Sequence, residues 1–284
     1  MSQQEMVEFT KHDPALSRMS IFRPVSKGAR SNKMLDISFD YNNINLRVQS
    51  METLDARDQT LLFVLIAMAT QHKQGVINKS STGNVGKNLW EQISSFSDTD
   101  GYSIAFCTTF YKIIKNCGMQ TSGKSYKFIE ESLLRLAKTN ITIKKGKQTE
   151  VTRLIASLKY NENEEVAVAI NPRIAEAITG QYVIINLEQR NLLTNDTSKI
   201  LFSYLSSVIN EGNTIPYKAT YKTLVEKTWG EEFSNDSTSR GRKKQVKESL
   251  NQINTLEGWN IDFEEDIVKV NRKKGTVVIP KVVV

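Results

Sequence analysis

Residues Leu61-Leu62-Phe63-Val64-Leu65-Ile66-Ala67-Met68-Ala69 form an unbroken apolar run. The run is far short of the roughly 18 residues a membrane-crossing helix needs. It offers water no polar face, so it has to be a helix enclosed by protein on all sides. The surrounding pattern predicts that helix over residues 55–71, with Thr53 or Asp55 able to cap its start. A chain holding one such helix must wrap further elements around it.

Those elements are legible on both flanks. Leu35-Asp36-Ile37-Ser38-Phe39-Asp40-Tyr41 and Ile44-Asn45-Leu46-Arg47-Val48 alternate apolar and polar residues, with Asn42-Asn43 between them. That is a β-hairpin pattern. Residues 1–34, with Pro14, Pro24 and Gly28, predict an irregular arm, and the polar stretch 72–100 predicts a long insertion. Beyond it, Phe110, Ile113, Ile114 and Cys117 have helical spacing over 108–117, and Gly118 supplies a helix stop. A third helix fits 124–138, where Ile129, Leu133 and Leu136 share one face. Two alternating segments follow, Ile141-Thr142-Ile143-Lys144 and Val151-Thr152-Arg153-Leu154-Ile155, joined by a basic turn. Helix, tight turn, helix, hairpin is the order of a winged helix, whose third helix enters the major groove.

The order recurs downstream: a strand at 182–187, a helix at 198–209, a short helix at 221–229, a long helix at 239–256, and a hairpin from 259–263 and 267–271. Element order repeats here, whereas residue identity is read as not repeating. The 284 residues suit two domains. The expected fold is therefore α+β, with two tandem winged-helix domains. The arm covers 1–34, the first domain 35–179 with its insertion near 72–100, and the second 180–284, the boundary lying near Gly180.

The net charge of +7 matters through its placement. Arg240-Gly241-Arg242-Lys243-Lys244-Gln245-Val246-Lys247 holds five cations and no acid. Val246, Leu250 and Ile253 define a buried face, which leaves Arg240, Lys243, Lys244 and Lys247 mostly on other faces. Arg240 and Arg242 have the fork that pairs with a guanine edge, while the lysines suit phosphates. In the first unit Lys124, Ser125 and Lys127 open the third helix, and Lys144, Lys145 and Lys147 crowd the hairpin turn. These eleven residues are the candidate contacts to duplex DNA. The bland alternative for each cluster is a solvated charged surface.

Gly118-Met119-Gln120-Thr121-Ser122-Gly123-Lys124-Ser125 also fits the phosphate-loop pattern G-x-x-x-x-G-K-[ST]. Such a loop needs a buried strand ending just before its first glycine, and the spacing over 108–117 is helical. The match is read as accidental, the glycines serving a helix–turn–helix joint. Cys107 and Cys117 read as partly buried thiols. With only His12 and His72 to join them, no metal site, catalytic triad or cofactor is expected, and neither is an enzyme. The polar, acidic start Met1-Ser2-Gln3-Gln4-Glu5 is unlike a secretory signal, so a cytoplasmic protein without membrane attachment is expected.

Several strings, taken in order, suggest a family. They are Lys11-His12-Asp13-Pro14-Ala15, Phe22-Arg23, Lys33-Met34-Leu35-Asp36-Ile37-Ser38-Phe39-Asp40-Tyr41, Leu54-Asp55-Ala56-Arg57-Asp58, and Ile66-Ala67-Met68-Ala69. They continue with Val166-Ala167-Val168-Ala169-Ile170-Asn171-Pro172-Arg173-Ile174-Ala175-Glu176-Ala177 and residues 240–246. Together they resemble replication protein C of IncQ-type plasmids. The resemblance implies tandem winged helices that bind directly repeated origin sites (iterons) in double-stranded DNA. It also implies opening of an adjacent AT-rich segment, recruitment of the plasmid helicase and primase, and no catalysis by this chain. Self-association among bound copies is a further expectation. Two rivals stand beside this reading: a winged-helix transcriptional repressor, and an ATP-dependent enzyme using residues 118–125.

Overall fold

The structure, a computed structural model, describes residues 6–25, 34–71, 76–77, 103–161, 164–171, 173–174, 181–230 and 236–274. Apart from 76–77, the predicted insertion at 72–100 lies outside the described residues, as does the predicted boundary at Gly180.

The apolar run is the middle of a helix, α2 (Ala56–Gln71); an earlier short helix, α1, spans Pro14–Arg18. Leu61, Leu62, Phe63, Val64, Leu65 and Ile66 are each no more than 1% exposed. Burial of a side chain of that size stabilises by roughly 1.5–3 kcal/mol, which makes α2 the axis of the core. Asp55 rather than Thr53 caps it. Its carboxylate accepts from the Arg57 and Asp58 amides, both at 2.9 Å, and Asp58 reaches back to the Asp55 amide at 3.0 Å. This reciprocal box satisfies donors that the first turn leaves without partners.

Before α2 comes the hairpin β2 (Leu35–Tyr41) and β3 (Ile44–Ser50). Asn42 and Asn43 take φ 47° and 63°, the backbone that tight hairpin turns demand. After α2 come β4 (Val76–Ile77), β5 (Ser103–Thr109), α3 (Phe110–Asn116) and α4 (Gly123–Ala137). Two hairpins then follow: β6 (Asn140–Lys145) with β7 (Gln148–Arg153), and β8 (Ile155–Tyr160) with β9 (Glu165–Ile170). The sequence reading treated the first of these as the wing. It instead pairs with β3, extending a sheet of order β2-β3-β6-β7. The strand preceding α3 pairs with the second hairpin, in the order β4-β5-β9-β8.

The C-terminal half contains β10 (Val183–Asn186), α5 (Leu187–Leu192), α6 (Asp196–Val208), β11 (Tyr217–Thr220), α7 (Tyr221–Trp229), α8 (Asp236–Asn254), β12 (Trp259–Glu264) and β13 (Ile267–Arg272). Its sheet order is β11-β13-β12. Helix, strand, helix, helix and closing hairpin thus recur with the same strand order as β5-β9-β8. Short sheets beside helices make the fold α+β.

The N-terminal segment departs from the expected irregular arm. Here β1 (Phe9–His12) pairs antiparallel with β10, and α1 follows, capped by Asp13. Alternation over Phe9-Thr10-Lys11-His12 is too short to announce a strand whose partner lies over 170 residues away. The segment then straps both halves. Val7 donates to Asn116, and Arg173 pairs with Asp13 at 3.0 Å. Arg18 donates to the Ser207 carbonyl, and Ser20 to the Lys227 carbonyl at the end of α7.

Candidate nucleic-acid interface

Residues 118–125 are a joint between two helices. Gly118 sits at φ 69° just past α3. The Met119 amide donates to the Ile114 carbonyl and the Gly118 amide to that of Lys115, the double closure of a glycine-ended helix. Ser122 caps α4 by accepting from the Ser125 amide. Ser125 is buried, and its hydroxyl donates to the Gln120 carbonyl at 2.6 Å. A phosphate loop needs a strand before its first glycine and an outward hydroxyl; this segment has a helix and an inward one. Of the three residues expected to contact DNA at the start of α4, Lys124 and Lys127 are exposed, whereas Ser125 faces the protein.

On α8, Val246, Ser249, Leu250 and Ile253 are buried. Arg240, Lys244 and Lys247 are exposed and follow i, i+4, i+7 spacing, so they line one face. Lys244 also reaches Glu248 at 3.9 Å. Arg242 and Lys243 flank the buried side. Arg242 is half-buried with its guanidinium over the Trp229 ring at 5.3 Å, and Lys243 lies 5.1 Å from the Tyr221 ring centroid and pairs with Asp266. Of the five cations four are therefore exposed, Lys243 among them although it pairs with Asp266, and Arg242 is half-buried against Trp229. The sequence reading had given Arg242 a base-reading role; its half-burial on Trp229 arises because position 242 is four residues before buried Val246.

The third cluster is at the β6–β7 turn. Gly146 takes φ 58° there, and Lys144, Lys145 and Lys147 are all exposed. A Cβ added at Gly146 would meet no atom within 4 Å apart from its chain neighbours.

Aligning the two halves by topology exposes a repeat that the sequence reading missed. In α4, Lys127-Phe128-Ile129-Glu130-Glu131-Ser132-Leu133-Leu134-Arg135-Leu136 matches Lys244-Gln245-Val246-Lys247-Glu248-Ser249-Leu250-Asn251-Gln252-Ile253 in α8. Residue identity therefore does recur, as K-x-[IV]-x-E-S-L-x-x-[LI]. The shared serines and the positions three beyond them grip the start of each unit's first helix. Ser132 donates to Asp58, and Arg135 pairs with Asp58 at 2.9 Å. Ser249 donates to Asn195, and Gln252 accepts from Ser198 and Thr194. Asp58 and Ser198 both lie three residues after their caps, Asp55 and Asn195. Lys127 and Lys244 consequently occupy equivalent exposed places on equivalent helices. The signal lay in Glu-Ser-Leu occurring twice at the same distance from a lysine.

The two cysteines and His12 differ in exposure. Cys117 is shielded, and burial pushes its thiol up to about 12; Cys107, expected to be partly buried, is exposed. His12 is buried with its ring edge-on to Phe63 at 5.0 Å, and desolvation lowers it to about 4 despite neighbouring Asp13. Among the described residues no group of three or more His, Cys, Asp or Glu is placed to hold a metal ion, and no helix is long and apolar enough to cross a membrane.

Comparison with known proteins gives two results. The family model for replication protein C matches residues 4–274. Among solved structures, a selenomethionine derivative of domains 2 and 3 of RctB superposes with a TM-score of 0.53 at 10% identity, covering 93% of this chain and 99% of that one. A second structure of RctB domains 2–3 gives 0.50 at 11% identity, covering 92% and 97%. At these identities the likeness is one of fold. No curated protein matches the sequence.

Proposed function

This chain belongs to the replication protein C family, and from that premise we propose that it is a plasmid replication initiator that binds iterons in duplex DNA through two winged-helix units. The first unit runs through β5-α3-α4-β8-β9, preceded by α2. The second runs through β11-α7-α8-β12-β13, preceded by α6. In each, the third helix enters a major groove.

The observation that carries the reading is the equivalence of Lys127 and Lys244. Two helices in the same topological place, held to their units from corresponding positions, each present a cation at the same exposed position. A solvated surface has no reason to repeat that arrangement, whereas a protein gripping two successive grooves does. Lys124 and Lys127 on α4, and Lys244 and Lys247 on α8, neutralise phosphates. Arg240 has the bidentate geometry to read a guanine. Arrays of bound copies strain the duplex, and AT-rich steps deform most easily, so opening starts there without ATP. The exposed single strand is the substrate to which helicase and primase are brought.

The test is a footprint on the origin of the parent replicon, combined with a single-strand-specific chemical probe. Repeated protected sites with enhanced reactivity in the neighbouring AT-rich DNA are expected. One isolated protected operator without added reactivity would describe a repressor instead. Arg240→Ala should weaken specific binding by about 1–3 kcal/mol while changing non-specific binding less. Equal weakening on all DNA would make Arg240 a phosphate contact.

A further inference from the structure

In each unit, the turn closing the last hairpin is acidic and is bonded to that unit's own helices. Between β8 and β9 the described residues include Glu164, and β9 opens with Glu165. The Glu164 carbonyl accepts from the Phe110 amide that opens α3, at 3.1 Å, and after burial the nearby Glu164 carboxyl is the next cause that raises the pKa of Tyr126 on α4. Glu264-Glu265-Asp266 links β12 to β13. The Asp266 carbonyl accepts from the Tyr221 amide that opens α7, at 3.2 Å, and its carboxylate pairs with Lys243 of α8. Tyr126 and Lys243 occupy equivalent positions, each one residue before the shared lysine. In both units the residue before the last strand accepts, through its carbonyl, from the amide that opens the helix pair.

Carboxylates at these turns repel a phosphate backbone, whose charge density is one of the highest a protein meets. The β6–β7 turn has the opposite character, with Lys144, Lys145 and Lys147 exposed together. That hairpin lies outside the repeated strand order, hung on β3 in a separate sheet.

We infer that the two closing turns are clamps that hold their own units' helices in place and stay off the duplex, and that the β6–β7 hairpin is the strand element that grips phosphates. This rests on the reading of α4 and α8 as duplex-binding helices. The second unit has no counterpart of the hairpin among the described residues, so the two halves of the molecule hold DNA unequally. The first contributes a helix and a basic hairpin, the second a helix alone.

The experiment measures binding of the full chain to a mixed-sequence 40-base-pair duplex across a salt series. Each lost phosphate contact lowers the slope of log affinity against log salt by about 0.9. Lys144→Ala/Lys145→Ala/Lys147→Ala should reduce the slope by about 2–3. Glu265→Lys, which places a cation at an exposed turn, should leave the slope within about half a unit of the parent. An unchanged slope in the triple variant overturns the inference, as does a gain of about 0.9 for Glu265→Lys. Lys127→Ala/Lys244→Ala is measured in parallel. If it lowers the slope and the hairpin variant does not, the hairpin assignment alone is lost. If it leaves the slope unchanged, the helix reading fails and takes this inference with it. All these positions are exposed, and thermal unfolding confirms that each variant folds.

Discussion

The Arg190 guanidinium donates to the Thr60 hydroxyl at 2.6 Å, joining α5 in the C-terminal half to α2 at the centre of the N-terminal half. Thr60 in turn donates to the Ala56 carbonyl at 2.8 Å. Arg190 is fully buried and also donates to Gln59, Ala56 and Ser203 at 2.7, 3.1 and 3.2 Å, with its plane over the Phe63 ring. Burial lowers its pKa to about 9, so it is charged at neutral pH. No carboxylate touches it at ion-pair distance among the contacts described; neutral oxygens solvate the cation. Besides the N-terminal strap, one planar group satisfied from both sides thus joins the two halves.

Arg190→Ala is expected to destabilise the protein by about 3 kcal/mol or more, because it leaves a cavity and several acceptors without donors. Arg190→Lys should recover less than half of the loss, since one ammonium cannot reproduce the fork. Urea unfolding followed by tryptophan fluorescence measures both. Parent-like stability in the lysine variant would show that charge alone suffices there.

The buried pair Asp58–Arg135 fastens α4 to the cap of α2. Removing either partner should cost about 3–5 kcal/mol, because the other charge is left buried without compensation. In a double-mutant cycle, Asp58→Ala/Arg135→Ala should be more stable than the sum of the two single losses by about 1–3 kcal/mol. Additive losses would mean that the two residues act independently.

His12 gives the fold a dependence on acid. Burial lowers its pKa from the ordinary 6.5 of an exposed imidazole to about 4 in the folded protein, so the unfolded chain takes up the proton first. Its share of stability is complete above about pH 6.5 and is lost as pH falls towards 4, a decline of about 3 kcal/mol. Denaturant titrations from pH 7.5 to 4.5 on the parent and on His12→Gln test this. The variant should show a shallower decline, and identical pH profiles would remove His12 as the cause.

The exposed and fastened cations of α8 should separate in two measurements. Lys244→Ala should lower the salt slope of DNA binding by about 0.9, and Lys127→Ala should lower it by the same amount. Both are expected to leave the unfolding midpoint nearly unchanged. Arg242→Ala should lower the midpoint through its lost contact with Trp229, worth about 0.5–2 kcal/mol, and change the slope less. An Arg242→Ala slope as low as that of Lys244→Ala would place Arg242 on the DNA.

Local pattern located what is governed by local physics. The apolar run required α2, the spacing of Ile129, Leu133 and Leu136 required α4, and that of Val246, Leu250 and Ile253 required α8. Asn42-Asn43 and Gly146 marked turns because their backbone geometry is decided within a few residues. The cations of α4, α8 and the β6–β7 turn were visible for the same reason. Their exposure follows from the helical or hairpin period.

Partner choice was a different matter. Whether the basic hairpin joined β3 or β5, whether residues 9–12 found β10, and whether Arg242 met Trp229 all depend on groups far apart in the chain. So does the placement of Arg190, which a linear reading would put in water. Side-chain period and turn chemistry act over a turn of helix or a pair of residues, and the sequence alone carried them. Strand pairing and the enclosure of a charge are settled only when the whole core closes, because their free energy comes from surfaces that meet in three dimensions.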